Sequence, residues 1–85
     1  MDRLKRLCEA LEEGQGMLIT SAENRFYLTG LRSSAGTLAV TREESVLFID
    51  FRYFEMARRV EQTHGFRTVL LKKEDRQLRE FFSSH

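Results

Sequence analysis

The feature that most constrains this chain is the order in which its apolar patterns follow one another. Stripes with helical spacing alternate with short β-rich runs, and glycines or polar turns separate them, in the order α-β-α-β-β-α-β-α. A hairpin between helical crossovers builds a mixed sheet with helices on its faces. We therefore predict an α/β layered fold in one domain over residues 1–85. The last two strands are joined through a helix, so they should be parallel with a right-handed crossover.

Four segments predict helices, at about residues 2–13, 21–28, 50–62 and from 74 onwards. Ser21 and Asp50 have the chemistry of N-caps for the second and third helices, and Gly30 and Gly65 are placed to end them. Each helix should bury one apolar face. For the first helix the predicted inner face is Leu4, Leu7, Cys8 and Leu11. For the third it is Tyr53, either Met56 or Ala57, and Val60, with the neighbouring Phe54. For the last it is Leu78, Phe81 and Phe82.

Four runs rich in β-branched and apolar residues predict the strands, at residues 17–20, 37–41, 46–50 and 66–71. The polar tetrapeptide 42–45 suits the turn of a hairpin between the second and third runs. Residues 30–36 have a glycine at each end and small or polar residues between, which is typical of a loop. The chain stops soon after its last helix. Either Phe81 and Phe82 close the core, or these residues are the front part of a longer, here truncated, domain.

Composition excludes several classes of protein. The net charge is +1, so a basic nucleic-acid-binding domain is not indicated. The longest apolar run, Val46 to Ile49, is far shorter than the roughly 18 residues that span a bilayer, so we expect no membrane insertion. The charged first residues lack the apolar stretch of a secretory signal. Cys8 is the single cysteine, which rules out an intrachain disulfide and fits a cytoplasmic location.

Metal-ligating and nucleophilic patterns are absent from the sequence. The two histidines, His64 and His85, are far apart, and the aspartates stand at predicted helix starts, so we expect no metal site. Cys8 lies on an apolar stripe, where a buried inert thiol is the favoured interpretation over a nucleophile. The Ser33-Ser34 pair lacks the Gly-x-Ser-x-Gly elbow of serine hydrolases. Gly14-x-Gly16 precedes a strand, which is the reverse of a dinucleotide fingerprint.

The tetrapeptide 50–53, Asp-Phe-Arg-Tyr, is the most suggestive candidate site. Asp50 follows a buried strand, where open α/β sheets place ligand-binding groups, but a helix cap is the favoured interpretation. Arg52 is expected either to pair with Asp50 or to cross an interface, and Tyr53 to pack inward. In the loop, Arg32 is the side chain freest to reach a partner, although a solvated surface arginine is the simpler interpretation.

Taken together, three motifs resemble those of one family. They are Leu-Ile-Thr-Ser-x-Glu-Asn-Arg-Phe-Tyr-Leu-Thr-Gly at 18–30, Ser-Ala-Gly at 34–36 and Val-Leu-Phe-Ile-Asp-Phe-Arg-Tyr at 46–53. In this order, after a leading helix, they resemble the amino-terminal domain of the creatinase and Xaa-Pro peptidase family, which includes aminopeptidase P and prolidase. The segment 50–53 resembles the family's Asp-Gly-Arg-Tyr, with Phe51 in place of the glycine.

The resemblance implies a three-layer α/β/α domain of ribonuclease-H-like type, truncated here, without catalytic residues or metal ligands of its own. Two divalent cations (manganese, cobalt or zinc) would belong to a separate "pita-bread" catalytic domain, which this sequence lacks. The resemblance also implies a homodimer in which this domain shapes the partner subunit's pocket for proline-containing peptides. On that basis Arg32 and Ser33, and less directly Arg52 and Tyr53, are the candidate gating or interface residues.

Two alternatives from other classes stay open. One is a free-standing protein-interaction module of the same fold. The other is a small-ligand α/β sensor that uses Asp50 as its site. The sequence leaves the choice among aminopeptidase, dipeptidase and other family members open.

Overall fold

A computed structural model of the chain describes residues 3–31 and 36–83, apart from the side chains of Glu74 and Asp75. Its eight elements follow the predicted order and confirm the α/β class. They are α1 (Arg3–Ala10), β1 (Gly16–Ile19), α2 (Ala22–Thr29), β2 (Thr37–Thr41), β3 (Ser45–Ile49), α3 (Phe51–His64), β4 (Arg67–Leu70) and α4 (Glu74–Ser83).

The four strands form one mixed sheet in the order β1-β2-β3-β4. β2 pairs antiparallel with both β1 and β3, and β3 pairs parallel with β4 across α3, as predicted. Leu38 lies opposite Ile19 on one side and Leu47 on the other, so the three side chains share one face. This register places the two inner strands, β2 and β3, at the centre of the hydrophobic core, and every residue of both is buried.

The larger core lies on the sheet face that α1, α2 and α3 cover. Ala57 is fully buried while half of Met56 is exposed, which resolves the alternative left open for the inner face of α3. Leu4 is fully buried, and Leu7 and Cys8 pack beside it, so the predicted stripe of α1 is confirmed. The buried members of this cluster are Leu4, Leu11, Ile19, Leu31, Leu38, Val40, Leu47, Ile49, Ala57 and Phe66.

A smaller core lies on the opposite face, under α4. Phe81 packs edge-on against Phe48, with ring centroids 6.2 Å apart, and against Phe82 at 5.1 Å. The ring of Phe82 reaches across to β1, and a Cβ on Gly16 would come within 2.4 Å of it, so any larger residue there would have to displace the ring. Helices therefore cover both faces of the sheet, which confirms the three-layer arrangement, and the two phenylalanines contribute to its smaller core.

Some element boundaries differ from the prediction for local reasons. α1 ends at Ala10 rather than near Glu13, because the Glu12 N–H donates to Oε1 of Gln15 (2.7 Å) instead of continuing the helix. β3 ends at Ile49 because Asp50 caps the next helix. Over residues 3–31 and 36–83, none of the helices has the length and apolar character needed to cross a bilayer.

Candidate functional site

The amino-terminal end of α3 carries a hydrogen-bonded pair of candidate residues, Asp50 and Arg52. Asp50 Oδ1 accepts the backbone N–H of Arg52 at 3.0 Å, as an N-cap does. Asp50 Oδ2 accepts two further bonds from the Arg52 guanidinium, at 3.2 Å from Nε and 2.7 Å from Nη2. Both carboxylate oxygens are therefore engaged by Arg52, which confirms the predicted cap and the predicted ion pair.

This pairing favours the charged form of both groups. The hydrogen bonds from Arg52 hold the pKa of the Asp50 carboxyl below its ordinary value, and the pairing with Asp50 raises the pKa of Arg52. The Arg52 side chain is 57% exposed, so solvent screens the attraction and little stability is expected from it. The pair instead fixes the direction of an exposed guanidinium, which remains accessible to a neighbouring surface.

Tyr53 belongs mainly to the core. It is partly buried and packs against the larger cluster, as predicted, and the Arg52 guanidinium lies 5.4 Å from its ring centroid. Phe51, which replaces the glycine of the family motif, is 78% exposed at the first turn of α3. The segment therefore presents Phe51 and Arg52 outward and anchors itself through Tyr53.

Arg32 and Ser33, the other candidate residues, lie outside the described residues. The structure does describe both ends of their loop. Leu31 is 5% exposed and enters the larger core. Gly36 has φ +137°, and a Cβ on it would lie 3.2 Å from the Phe48 carbonyl oxygen. Gly36 therefore lies beside the end of β3, two residues before Asp50.

Arg25 is buried inside the fold near Gly36, and the sequence analysis did not single it out. Its side chain is almost fully buried and donates to the Thr20 carbonyl oxygen. Burial lowers the pKa of its guanidinium. Thr29 Oγ1 donates to the Arg25 carbonyl (2.6 Å) and accepts from the Leu31 N–H (3.2 Å). On the other side, a Cβ on Gly36 would lie 3.7 Å from Arg25 Nε.

A signal for Arg25 was present in the sequence. It precedes Leu28 and Thr29 by three and four residues, so the three share the inward face of α2. An arginine on a helix's inner face is rarely buried unless its guanidinium finds acceptors, as it does here in the Thr20 carbonyl. The spacing could have marked Arg25 as a structural arginine.

The described residues do not fit a two-metal site. Among them no three His, Cys, Asp or Glu side chains group as a metal would require. The ring Nδ1 of His64 is 3.2 Å from the Val60 carbonyl oxygen, and both oxygens of Asp50 are taken by Arg52. The thiol of Cys8, half-buried on α1, is 3.2 Å from the hydroxyl of Ser45.

Comparison with known proteins identifies the family. The family model described as "Creatinase/Prolidase N-terminal domain" matches residues 1–85. The chain belongs to the creatinase/prolidase family. The match is to the family's amino-terminal domain, as the motif order implied.

Two curated relatives agree with this assignment. A Mycoplasma pneumoniae protein that carries the name of an Xaa-Pro aminopeptidase is 52% identical over 46 residues, which are 54% of this chain and 13% of that protein. The Bacillus subtilis peptidase YqhT is 41% identical over 54 residues, which are 64% of this chain and 15% of that protein. The chain thus matches less than a sixth of the length of these curated relatives.

Solved structures share the fold. An Xaa-Pro dipeptidase from Bacillus anthracis superposes with a TM-score of 0.78 at 24% identity, over 98% of this chain and 24% of that one. An Xaa-Pro aminopeptidase from Streptococcus thermophilus superposes with a TM-score of 0.74 at 24% identity, over 94% of this chain and 59% of that one. The amino-terminal domain of the cytoplasmic peptidase PepQ from Mycobacterium tuberculosis superposes with a TM-score of 0.61 at 29% identity, over 85% of this chain and 54% of that one. The creatinase/prolidase amino-terminal fold is therefore confirmed.

Proposed function

We propose that this chain is the non-catalytic amino-terminal part of a cytoplasmic, metal-dependent Xaa-Pro peptidase, either an aminopeptidase P or a prolidase. Its own role is to assemble a homodimer and to shape the partner subunit's pocket for proline-containing peptides. The observation that carries the proposal is the match of the whole chain to the family's amino-terminal domain. The Xaa-Pro aminopeptidase name of the Mycoplasma pneumoniae relative, which is several times longer, supports it.

The proposal assigns the chemistry to a separate domain. Two divalent cations, manganese, cobalt or zinc, would be held there and would supply the activated water that attacks the peptide bond. The residues of this chain would influence that metal centre's substrate pocket through packing contacts and electrostatic interactions. This division agrees with the engagement of Asp50 and His64 by groups of their own helix.

Within this role, Arg32 and Ser33 are the proposed gating residues, and Arg52 is a proposed interface residue. The supporting observation is the position of Gly36, which follows the 32–35 loop and lies beside the end of the strand that precedes Asp50. Phe51 adds an exposed aromatic ring to the same end of α3. An exposed aromatic next to a fixed guanidinium is a composition typical of protein interfaces.

An activity assay tests the proposal. The purified 85-residue chain, supplied with manganese, cobalt or zinc, should not hydrolyse Xaa-Pro dipeptides or longer Xaa-Pro peptides. A catalytically competent Xaa-Pro peptidase assayed in the same buffer is the positive control. Metal-dependent turnover by the chain alone, in fractions that follow its elution profile, would overturn the non-catalytic assignment.

A further inference from the structure

Two helices of this fold end at a left-handed glycine, but the chain leaves them in different ways. α2 ends at Gly30, with φ 74° and ψ 6°, and α3 ends at Gly65, with φ 78° and ψ 38°. In both, the glycine N–H donates at 2.8 Å to the carbonyl four residues earlier, which belongs to Phe26 in α2 and to Glu61 in α3. The two ends differ in the bond made by the next peptide group, which orients the chain after the helix.

After α3 that peptide group is held by the backbone alone. The Phe66 N–H donates to the Glu61 carbonyl at 3.1 Å, which is the additional bond of a Schellman motif. Phe66 itself is buried in the larger core just before β4 begins. No side chain takes part in the bonds that end α3 at Gly65.

After α2 a side chain makes the corresponding bond. The Leu31 N–H donates to Oγ1 of Thr29 at 3.2 Å, and not to the Phe26 carbonyl. The same hydroxyl donates to the Arg25 carbonyl, one turn earlier, at 2.6 Å. A hydroxyl has one hydrogen and two lone pairs, so it can donate to Arg25 and accept from Leu31 at the same time. Thr29 therefore joins the last turn of α2 to the first peptide group beyond Gly30.

This bond is shielded from water. Thr29 is 1% exposed, and the side chain of Leu31 is buried in the larger core. Between them the ring of His64 packs against Gly30, where an added Cβ would lie 2.5 Å from Nε2. A buried N–H that loses its acceptor costs more free energy than a typical hydrogen bond contributes. The Leu31 N–H therefore depends on the Thr29 hydroxyl.

We propose that Thr29 is a positioning residue for the 32–35 loop, which follows Leu31 directly in the sequence. Its hydroxyl fixes the Leu31 peptide group and thereby sets the direction in which the chain leaves α2 toward Arg32 and Ser33. The gating role of those two residues rests on the proposed function, whereas their positioning by Thr29 does not.

The end of α3 shows what the loss of this hydroxyl would allow. Without it, the Leu31 N–H must turn either to water or to the Phe26 carbonyl, as the Phe66 N–H turns to Glu61. Either change rotates the peptide group that precedes the loop. The loop would then begin in a different direction although α2 itself stays intact.

Thr29→Val and Thr29→Ser separate the hydroxyl from the shape of the side chain. Valine keeps the branched shape without an acceptor, and serine keeps the hydroxyl. In the ¹⁵N-labelled chain, the Leu31 amide should exchange with solvent about tenfold faster in T29V than in wild type, and within about twofold of wild type in T29S. The amide resonances of residues 32–35 should move in T29V and stay close to their wild-type positions in T29S.

Thr68→Val is the matched control. It makes the same chemical change at a buried hydroxyl that has no hydrogen-bond partner among the described residues, so both measurements should remain at their wild-type values. A folded T29V variant in which either the Leu31 exchange rate or the resonances of residues 32–35 are those of wild type would overturn the proposal.

The wild-type chain supplies a test that does not depend on the folding of any variant. Its Leu31 amide should exchange at least about tenfold more slowly than the same amide in a short unstructured peptide. Exchange at the unstructured rate would overturn the proposal. None of these measurements needs a substrate, so the proposal can fail while the proposed function stands. Metal-dependent turnover by the chain alone would overturn the proposed function and leave the positioning by Thr29 intact.

Discussion

At the scale of single residues, a few side chains fix the polar end of the candidate site. Asp50 caps α3 and orients Arg52, so one carboxylate serves both the helix and the exposed guanidinium. Arg25, by contrast, is buried inside the fold, where its side chain donates to the Thr20 carbonyl. Both arrangements join residues that are close in sequence.

The Asp50–Arg52 pair makes stability depend on pH in a defined direction. Arg52 lowers the pKa of the folded-state Asp50 carboxyl, so its contribution is complete above the unfolded-state pKa of about 3.9 and is lost as pH falls through the folded-state pKa. Asp50→Asn keeps a capping oxygen but loses the charge. It should lower the free energy of unfolding at pH 7, and the difference from wild type should shrink at pH 3 and below.

Urea unfolding at a series of pH values measures this difference. Glu55→Gln, an exposed neutralisation on the same helix, is the control for a general change in net charge. A gap between Asp50→Asn and wild type that stays constant from pH 7 to pH 2 would show that the ion pair contributes nothing.

Two glycines that end helices offer a matched test of close packing. Gly30 and Gly65 both adopt the left-handed conformation, with φ +74° and +78°, so alanine at either position costs about 1–2 kcal/mol of backbone strain. A Cβ on Gly30 would in addition lie 2.5 Å from Nε2 of His64, whereas Gly65 has open space. Gly30→Ala should therefore be the more destabilising.

A double-mutant cycle by chemical denaturation isolates this contact. In a His64→Ala background the extra cost of Gly30→Ala should vanish, because the obstructing ring is gone. Equal costs for Gly30→Ala and Gly65→Ala in the wild-type background would contradict the contact.

At the scale of elements, the two faces of the sheet are covered unequally. α1, α2 and α3 cover the larger core, whereas α4 covers the opposite face of the sheet. Leu18 pairs with Ala39 and so lies on the α4 side, yet half of it is exposed. The attachment of α4 therefore depends on few side chains, chiefly Phe81.

Truncating Phe81 should release α4. Phe81→Ala removes a ring that is 7% exposed and should lower the free energy of unfolding by about 3–5 kcal/mol, a large part of the stability of so small a domain. Phe51→Ala makes the same chemical change where the ring is 78% exposed and should change stability by less than about 0.5 kcal/mol. Chemical denaturation followed by circular dichroism measures both. Similar losses in the two variants would contradict the assignment of α4 to the smaller core.

At the scale of the whole molecule, no group of three His, Cys, Asp or Glu side chains suited to a metal ion is present among residues 3–31 and 36–83. A ligand that binds only the folded state raises the melting temperature, so a resident metal would be detectable by its effect on stability. We expect the melting temperature of the chain to be the same in millimolar manganese or cobalt as in EDTA. A rise that saturates at two equivalents of metal would contradict the non-catalytic assignment.

Several local features followed from the sequence, because helix periodicity, capping and turn chemistry depend on residues within a few positions of one another. They are the element order, the caps at Ser21 and Asp50, and the stops at Gly30 and Gly65. The parallel β3–β4 pair also followed, because a helix joins the two strands. The contact of Gly16 with Phe82 and the contacts of Glu61 and Gln77 with the backbone of β4 did not follow from the sequence. Each of these requires two segments to be brought together by the packed sheet. Only the tertiary structure decides which distant groups meet, because side chains with the same local pattern find different partners once strand order and register are set.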